Sequence, residues 1–146
     1  MIAVWHEYGM RKTLPQDEEV VNRSQEWVLR LTQVGKECFI ITARDGKDER
    51  KKKRTENWIQ HHFPMLRLDR LHFVHHYSER AIPKSEICKN LWVTLVFDDH
   101  IDNAIDFVNN GIACILIERP WNRNIAFEHP LLYRVKDWHE IEEALS

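Results

Sequence analysis

Two adjacent carboxylates, Asp98 and Asp99, close the run Val93-Thr94-Leu95-Val96-Phe97-Asp98-Asp99-His100. Set side by side they repel, and a cation between them relieves the repulsion. Mg²⁺ suits such a pair, because it takes hard oxygen ligands and keeps several waters. The two residues also admit a plainer use, one Asp capping a helix that begins near Ile101 and the other solvated. Earlier, Thr42 ends an apolar run and is followed by Ala43-Arg44-Asp45-Gly46. A hydroxyl and a guanidinium there could hold a phosphate, the first by a hydrogen bond and the second bidentately. Lys84, in Ile82-Pro83-Lys84-Ser85-Glu86, precedes the run that carries the carboxylates. A lysine so placed could orient them and neutralise phosphate charge. Each of the three has a bland use as well: Thr42 as strand-end filler, Arg44 as a surface charge, Lys84 as a helix-start residue.

These residues need a scaffold that brings strand ends together, and the chain alternates accordingly. Met1–Trp5 reads as a short strand and Glu7–Gln16 as a loop. Asp17–Val34 has helical apolar spacing at Val20, Val21, Trp27, Val28, Leu31 and Val34, closed by Gly35. Cys38–Thr42 is a second buried strand, and Asp48–His62 a helix ended by Pro64. Leu71–Val74, Val93–Phe97 and Ile112–Ile117 read as further strands. Lys84–Asn90 and Ile101–Asn109 read as helices, the second stopped by Gly111. Leu132–Val135 and Asp137–Leu145 complete the pattern as strand and helix, with Asp137 a natural N-cap. Apolar strands alternating with helices predict a doubly wound, three-layer α/β fold of Rossmann type with a parallel sheet. In such a sheet ligands bind outside the carboxyl ends of the strands, which is where Thr42, Asp98 and Asp99 fall.

At 146 residues the chain is long enough for a real core and is read as one domain over Met1–Ser146. A net charge of −2 singles out no class of partner. Cys38, Cys88 and Cys114 are widely spaced and lack a ligand pattern, which predicts reduced thiols in a cytoplasmic protein. No stretch resembles a signal peptide or reaches membrane-spanning length, so no membrane partner is expected.

A hydroxyl after the second strand, a lysine before the fourth and an Asp pair after it form an order that resembles the haloacid dehalogenase (HAD) phosphatase superfamily. Ile40-Ile41-Thr42-Ala43-Arg44 is similar to its second motif, Lys84 to its third, and Val96-Phe97-Asp98-Asp99 to its fourth. Lys84-Ser85-Glu86-Ile87-Cys88-Lys89 and Glu118-Arg119-Pro120-Trp121-Asn122-Arg123 also resemble 5′(3′)-deoxyribonucleotidase-like members. The likeness runs from about Ile2 to Asn124. Only 37 positions separate Trp5 from Thr42, so no large cap domain is expected. The resemblance implies a Mg²⁺-dependent phosphohydrolase with Thr42, Lys84 and Asp98 in its site.

The family's first motif, Asp-x-Asp-Gly-Thr, is where this chain departs. The corresponding run is Ile2-Ala3-Val4-Trp5-His6-Glu7-Tyr8-Gly9. One alignment sets Trp5 at the nucleophile and Glu7 at the acid/base; a shift of one residue sets His6 and Tyr8 there. Neither supplies the aspartate that makes the covalent phosphoryl step possible. A pseudophosphatase that binds a protein, nucleotide or nucleic acid is therefore the primary reading. The alternative is direct hydrolysis on a metal held by Glu7, Asp98 and Asp99, since Glu7 lies two strand positions from Trp5 on the same face. A third reading leaves the motif remnants unused in a structural module.

Two further features bear on partners. Lys47-Asp48-Glu49-Arg50-Lys51-Lys52-Lys53-Arg54 is a basic cluster that suits either a solvated helix face or the steering of a nucleic acid or an acidic protein, with Lys51, Lys52 and Lys53 at its centre. Trp121 could stack on a base or pack against the following loop. The pairs His61-His62 and His75-His76 do not point two rings at one position and are not read as metal sites.

Overall fold

A computed structural model describes residues 2–4 (main chain only), 25–42, 47–73, 82–137 and 140–141. Its strands are β1 (Ile2–Val4), β2 (Cys38–Thr42), β3 (Leu71–Phe73), β4 (Leu95–Asp98), β5 (Ala113–Ile117) and β6 (Leu132–Val135). The described helices are α1 (residues 25–33), α2 (Glu49–His62), α3 (Lys84–Asn90) and α4 (Ile101–Asn109), with a 3₁₀ turn at Leu68–Arg70. All strand pairs are parallel, in the order β3-β2-β1-β4-β5-β6. That is the doubly wound arrangement the alternating pattern predicts, and the strand order reverses between β1 and β4. Among the described residues there is no inserted cap domain.

Strand alternation sorts the core into two layers. Cys38 and Ile40 of β2 and Ile115 and Ile117 of β5 pack with Val28 and Leu31 of α1, and with Ile59 and Phe63 at the end of α2. Phe39, Ile41, Cys114 and Leu116 face the other way, onto Cys88 of α3 and Ala104, Phe107 and Val108 of α4. Strands with apolar side chains on both faces must be covered on both sides, and this sheet is.

Several element ends differ from the sequence reading, each for a hydrogen-bonding reason. Val93, expected in β4, donates its N–H to Cys88 O at 2.8 Å while Trp92 donates to Lys89 O at 3.1 Å. These bonds close α3, so β4 starts at Leu95. Trp92 holds φ at 57°, the left-handed conformation that glycine usually supplies at this place. Ile112 gives its N–H to Phe107 O at 3.0 Å, which delays β5 to Ala113. Asp48 caps α2 rather than joining it, its carboxylate accepting the N–H groups of Arg50 and Lys51 at 3.0 and 3.3 Å. At the chain's last described turn, Asp137 accepts the Glu140 N–H at 3.4 Å and Glu140 accepts the Lys136 N–H at 2.7 Å. The first of these bonds is the one an N-cap at Asp137 makes to the third residue after it. Val74 and most of the expected Asp137–Leu145 helix lie outside the described residues.

Candidate active site at the carboxyl ends of the central strands

The register builds the site. Val4 of β1 stands opposite Phe97 of β4 and Ile40 of β2, so the carboxyl end of β1 lies between those of its two neighbours. Thr42 ends β2 opposite Phe73 and is buried. Asp98 ends β4 opposite Leu116. Lys84 opens α3 with Pro83 just ahead of it, where a fixed φ and a missing N–H are tolerated. Lys84 and Asp98 meet at 3.7 Å, Nζ to Oδ2, with side chains only 3% and 0% exposed.

Asp98 is held from several sides. Its Oδ1 accepts the main-chain N–H groups of Asp99 and His100, each at 2.8 Å. The Asn103 amide, in the first turn of α4, donates to both carboxylate oxygens at 3.4 and 3.2 Å. Burial pushes the Asp98 carboxyl above the usual carboxylate range, while the Lys84 ammonium and these N–H donors oppose the rise. A carboxylate in this setting has a fixed direction and does not wander to find a partner. Charged pairs this deep add little to stability compared with an apolar pair of the same volume. Asp98 has a use in the fold as acceptor for the N–H groups ahead of α4, but the buried cation beside it is not something packing requires.

The plainer use of the two aspartates is corrected in one respect. His100, not an aspartate, occupies the N-cap of α4, and it makes no side-chain cap bond. Asp98 does serve the helix start through the His100 N–H, but Asp99 is buried rather than solvated.

A second group of contacts was not legible in the sequence. Asn122 is fully buried (0% exposed) in the turn after β5. Its amide donates to Asp99 O at 2.6 Å and to Ile117 O at 2.9 Å, and its Oδ1 accepts the Arg119 N–H at 3.0 Å. The side chain thus ties the loop after β4 to the end of β5. The Trp121 indole N–H reaches the same Asp99 carbonyl at 2.9 Å, and its ring stays 48% exposed at the rim. Arg134 on β6 braces the loop by donating to Asn122 O at 3.4 Å and to Ile125 O. Asn following a strand in a Pro-containing turn was the available signal. Asn103, one polar residue in the first turn of α4, carried none.

Of the residues singled out in the sequence, Thr42, Lys84, Asp98 and Asp99 come to one edge of the sheet. Lys51, Lys52 and Lys53 sit on α2, whose first residue follows Thr42 by seven positions. Trp5, Glu7 and Arg44 lie outside the described residues, as do His75 and His76. His61 and His62 meet edge to face at 4.8 Å, and His62 Nδ1 accepts a hydrogen bond from the Gln25 side-chain amide at 3.2 Å. Among the described residues no three His, Cys, Asp or Glu side chains gather as a metal would need. Asp98 and Asp99 are nonetheless two buried side chains with hard carboxylate oxygens at this edge.

The model of the family described as 5′ nucleotidase, deoxy (Pyrimidine), cytosolic type C protein matches residues 2–145. The chain belongs to this family. It is a HAD-like nucleotidase-family protein, as the order of Thr42, Lys84 and the Asp pair implied. A comparison with curated proteins gave no match. No helix among the described residues of this nucleotidase-family chain is long and apolar enough to cross a membrane.

Proposed function

We propose that this member of the family recognises the phosphate of a nucleotide at the Thr42–Lys84–Asp98 edge and does not form an aspartyl-phosphate. The observation that supports a retained phosphate site is the buried Lys84–Asp98 pair, an arrangement that costs desolvation and that packing alone does not require. The Thr42 hydroxyl donates to a phosphate oxygen, and Lys84 neutralises phosphate charge while it holds Asp98 in place. Asp98 and Asp99 would hold Mg²⁺, which draws off phosphate charge when bound. The reading against covalent turnover comes from the sequence, where Trp5 or His6 stands in place of the attacking carboxylate.

Purified protein with Mg²⁺ and a panel of deoxynucleoside monophosphates should bind them in equilibrium dialysis and release no phosphate above background. Lys84→Ala and Thr42→Val should each weaken binding tenfold or more, the scale of a lost charge-assisted hydrogen bond. Phosphate release that vanishes in Asp98→Asn would overturn the non-catalytic reading. Burial of two carboxylates at the same edge favours a second one, in which Glu7 completes a metal site and water attacks directly. Under it, turnover persists without a trapped phosphoenzyme and is abolished by Glu7→Gln.

A further inference from the structure

The basic cluster of α2 is not explained by the site or by the core. Residues 47–54 carry six Lys or Arg and two Asp or Glu, a net charge of +4 in a chain of net charge −2. Asp48 is already engaged: its Oδ1 caps the helix, and its Oδ2 lies 3.8 Å from Lys51 Nζ. Among the described residues Arg50, Lys52, Lys53 and Arg54 make no ion pair. Arg50, Lys53 and Arg54 are exposed and Lys52 is half-buried.

This arrangement works against the helix twice. Cations in the first turns oppose the positive end of the helix dipole. Arg50 also faces Lys53 and Arg54 at three and four residues, spacings at which like charges destabilise. The packing of α2 rests on Thr55, Ile59, Trp58 and Phe63, further along the helix. Asp48 at the cap and Glu49 in the first turn, four residues before Lys53, offset part of this, but the cations of residues 47–54 still outnumber the acids by four. Binding of an anion relieves what remains of both conflicts.

The place of the cluster narrows the choice of anion. α2 connects two parallel strands, so it starts at the carboxyl edge and runs back toward the other. The cationic half is therefore the half nearest Thr42. On the far side of Asp98 the half-exposed Trp121 ring is fixed by its N–H bond to Asp99 O. β2 and β5 are three strand spacings apart in the sheet, about 14 Å. Cations on one flank, a phosphate site in the middle and an aromatic face on the other suit a chain of phosphates bearing bases.

We infer that the amino-terminal half of α2 is a track for the backbone of a single-stranded nucleic acid whose terminal phosphate enters the edge site, with Trp121 stacking on its terminal base. The inference rests on the proposed phosphate site, which it extends from a mononucleotide to a strand end. Association draws its affinity from the track and its registration from the phosphate and the base. Binding is therefore steeply salt-dependent.

Fluorescence anisotropy with labelled 12-nucleotide single strands, with and without a terminal phosphate, tests this on the full chain between 50 and 200 mM salt. The variant Arg50→Gln/Lys52→Gln/Lys53→Gln/Arg54→Gln should lower affinity at least tenfold. It should also flatten the slope of log affinity against log salt by roughly 2 to 3, from about 0.7 per phosphate contact on a single strand. Its melting temperature should equal or exceed that of the parent, because the repulsion is gone. Trp121→Ala should weaken binding without changing the salt slope. Unchanged affinity in the quadruple variant, with fold intact by circular dichroism, overturns the track. So does equally tight binding of a polyglutamate of matched charge, which would assign the face to an acidic protein. Equal affinity for phosphorylated and unphosphorylated strands overturns the placement of the strand end in the edge site, whereas absence of deoxynucleoside monophosphate binding in equilibrium dialysis overturns the site itself.

Discussion

Asn122→Ala is the substitution whose consequence follows most directly from the geometry. The side chain makes three hydrogen bonds from a fully buried position, to Asp99 O, Ile117 O and the Arg119 N–H. Alanine removes all three, and no water enters easily at zero exposure. Asp99 O keeps the Trp121 indole N–H, so its loss is partial. Ile117 O and Arg119 N each lose this partner, at about 1 to 3 kcal/mol apiece. The expected destabilisation is therefore about 2 to 6 kcal/mol, or roughly 5 to 20 °C in melting temperature for a chain of this length. Urea unfolding followed by circular dichroism measures it. Trp121→Phe serves as the control: it removes a single donor from a carbonyl that Asn122 still satisfies, and should cost only about 1 kcal/mol. If Asn122→Ala costs less than 1 kcal/mol, or no more than Trp121→Phe, the tie between the two loops does not carry the stability argued for it.

Lys84→Met should destabilise by about 3 to 5 kcal/mol by leaving Asp98 buried without its cation, and Lys84→Met/Asp98→Asn should recover most of the loss in a double-mutant cycle. Trp92→Gly should stabilise by about 0.5 to 1 kcal/mol in urea unfolding, since the ring is 81% exposed and φ is 57°. Native protein should resist a thiol reagent and react in denaturant, because burial raises Cys38 to about 11 and Cys88 to about 12 and pushes Cys114 up as well. Burial, with Arg70 next, lowers the pKa of His72 from 6.5. Below pH 6.5 the unfolded chain takes up a proton that the folded one refuses, so stability should fall with acidification, and His72→Leu should shrink that fall in unfolding midpoints measured at pH 7.5 and 5.5.

The fold was legible because the strands declare themselves. Cys38–Ile41 and Ala113–Ile117 are apolar at every position, and only a sheet covered on both faces buries nearly all of them. Lys84 and Asp98 were legible as a pair through their order along the chain, without any knowledge of the 3.7 Å between them. What escaped was the side chain bonded to distant main chain. Asn122 reads as a turn residue, and nothing in its neighbours announces that its amide reaches Asp99 O, 23 positions away. The start of β4 was misplaced because Val93 looks like a strand residue, while its N–H completes the helix before it. Pattern reports which face is apolar; it does not report where each N–H finds its acceptor.

β1 sits between β2 and β4 although it precedes both by a long stretch of chain. It is a seam: β1 to β3 form one side, β4 to β6 the other, and within the sheet the two sides are stitched through the β1–β4 ladder. A ligand seated over the carboxyl ends of those two strands clasps both sides of the stitch. Its binding would therefore slow hydrogen exchange most along β1 and β4, and leave the outer strands β3 and β6 exchanging at their own pace.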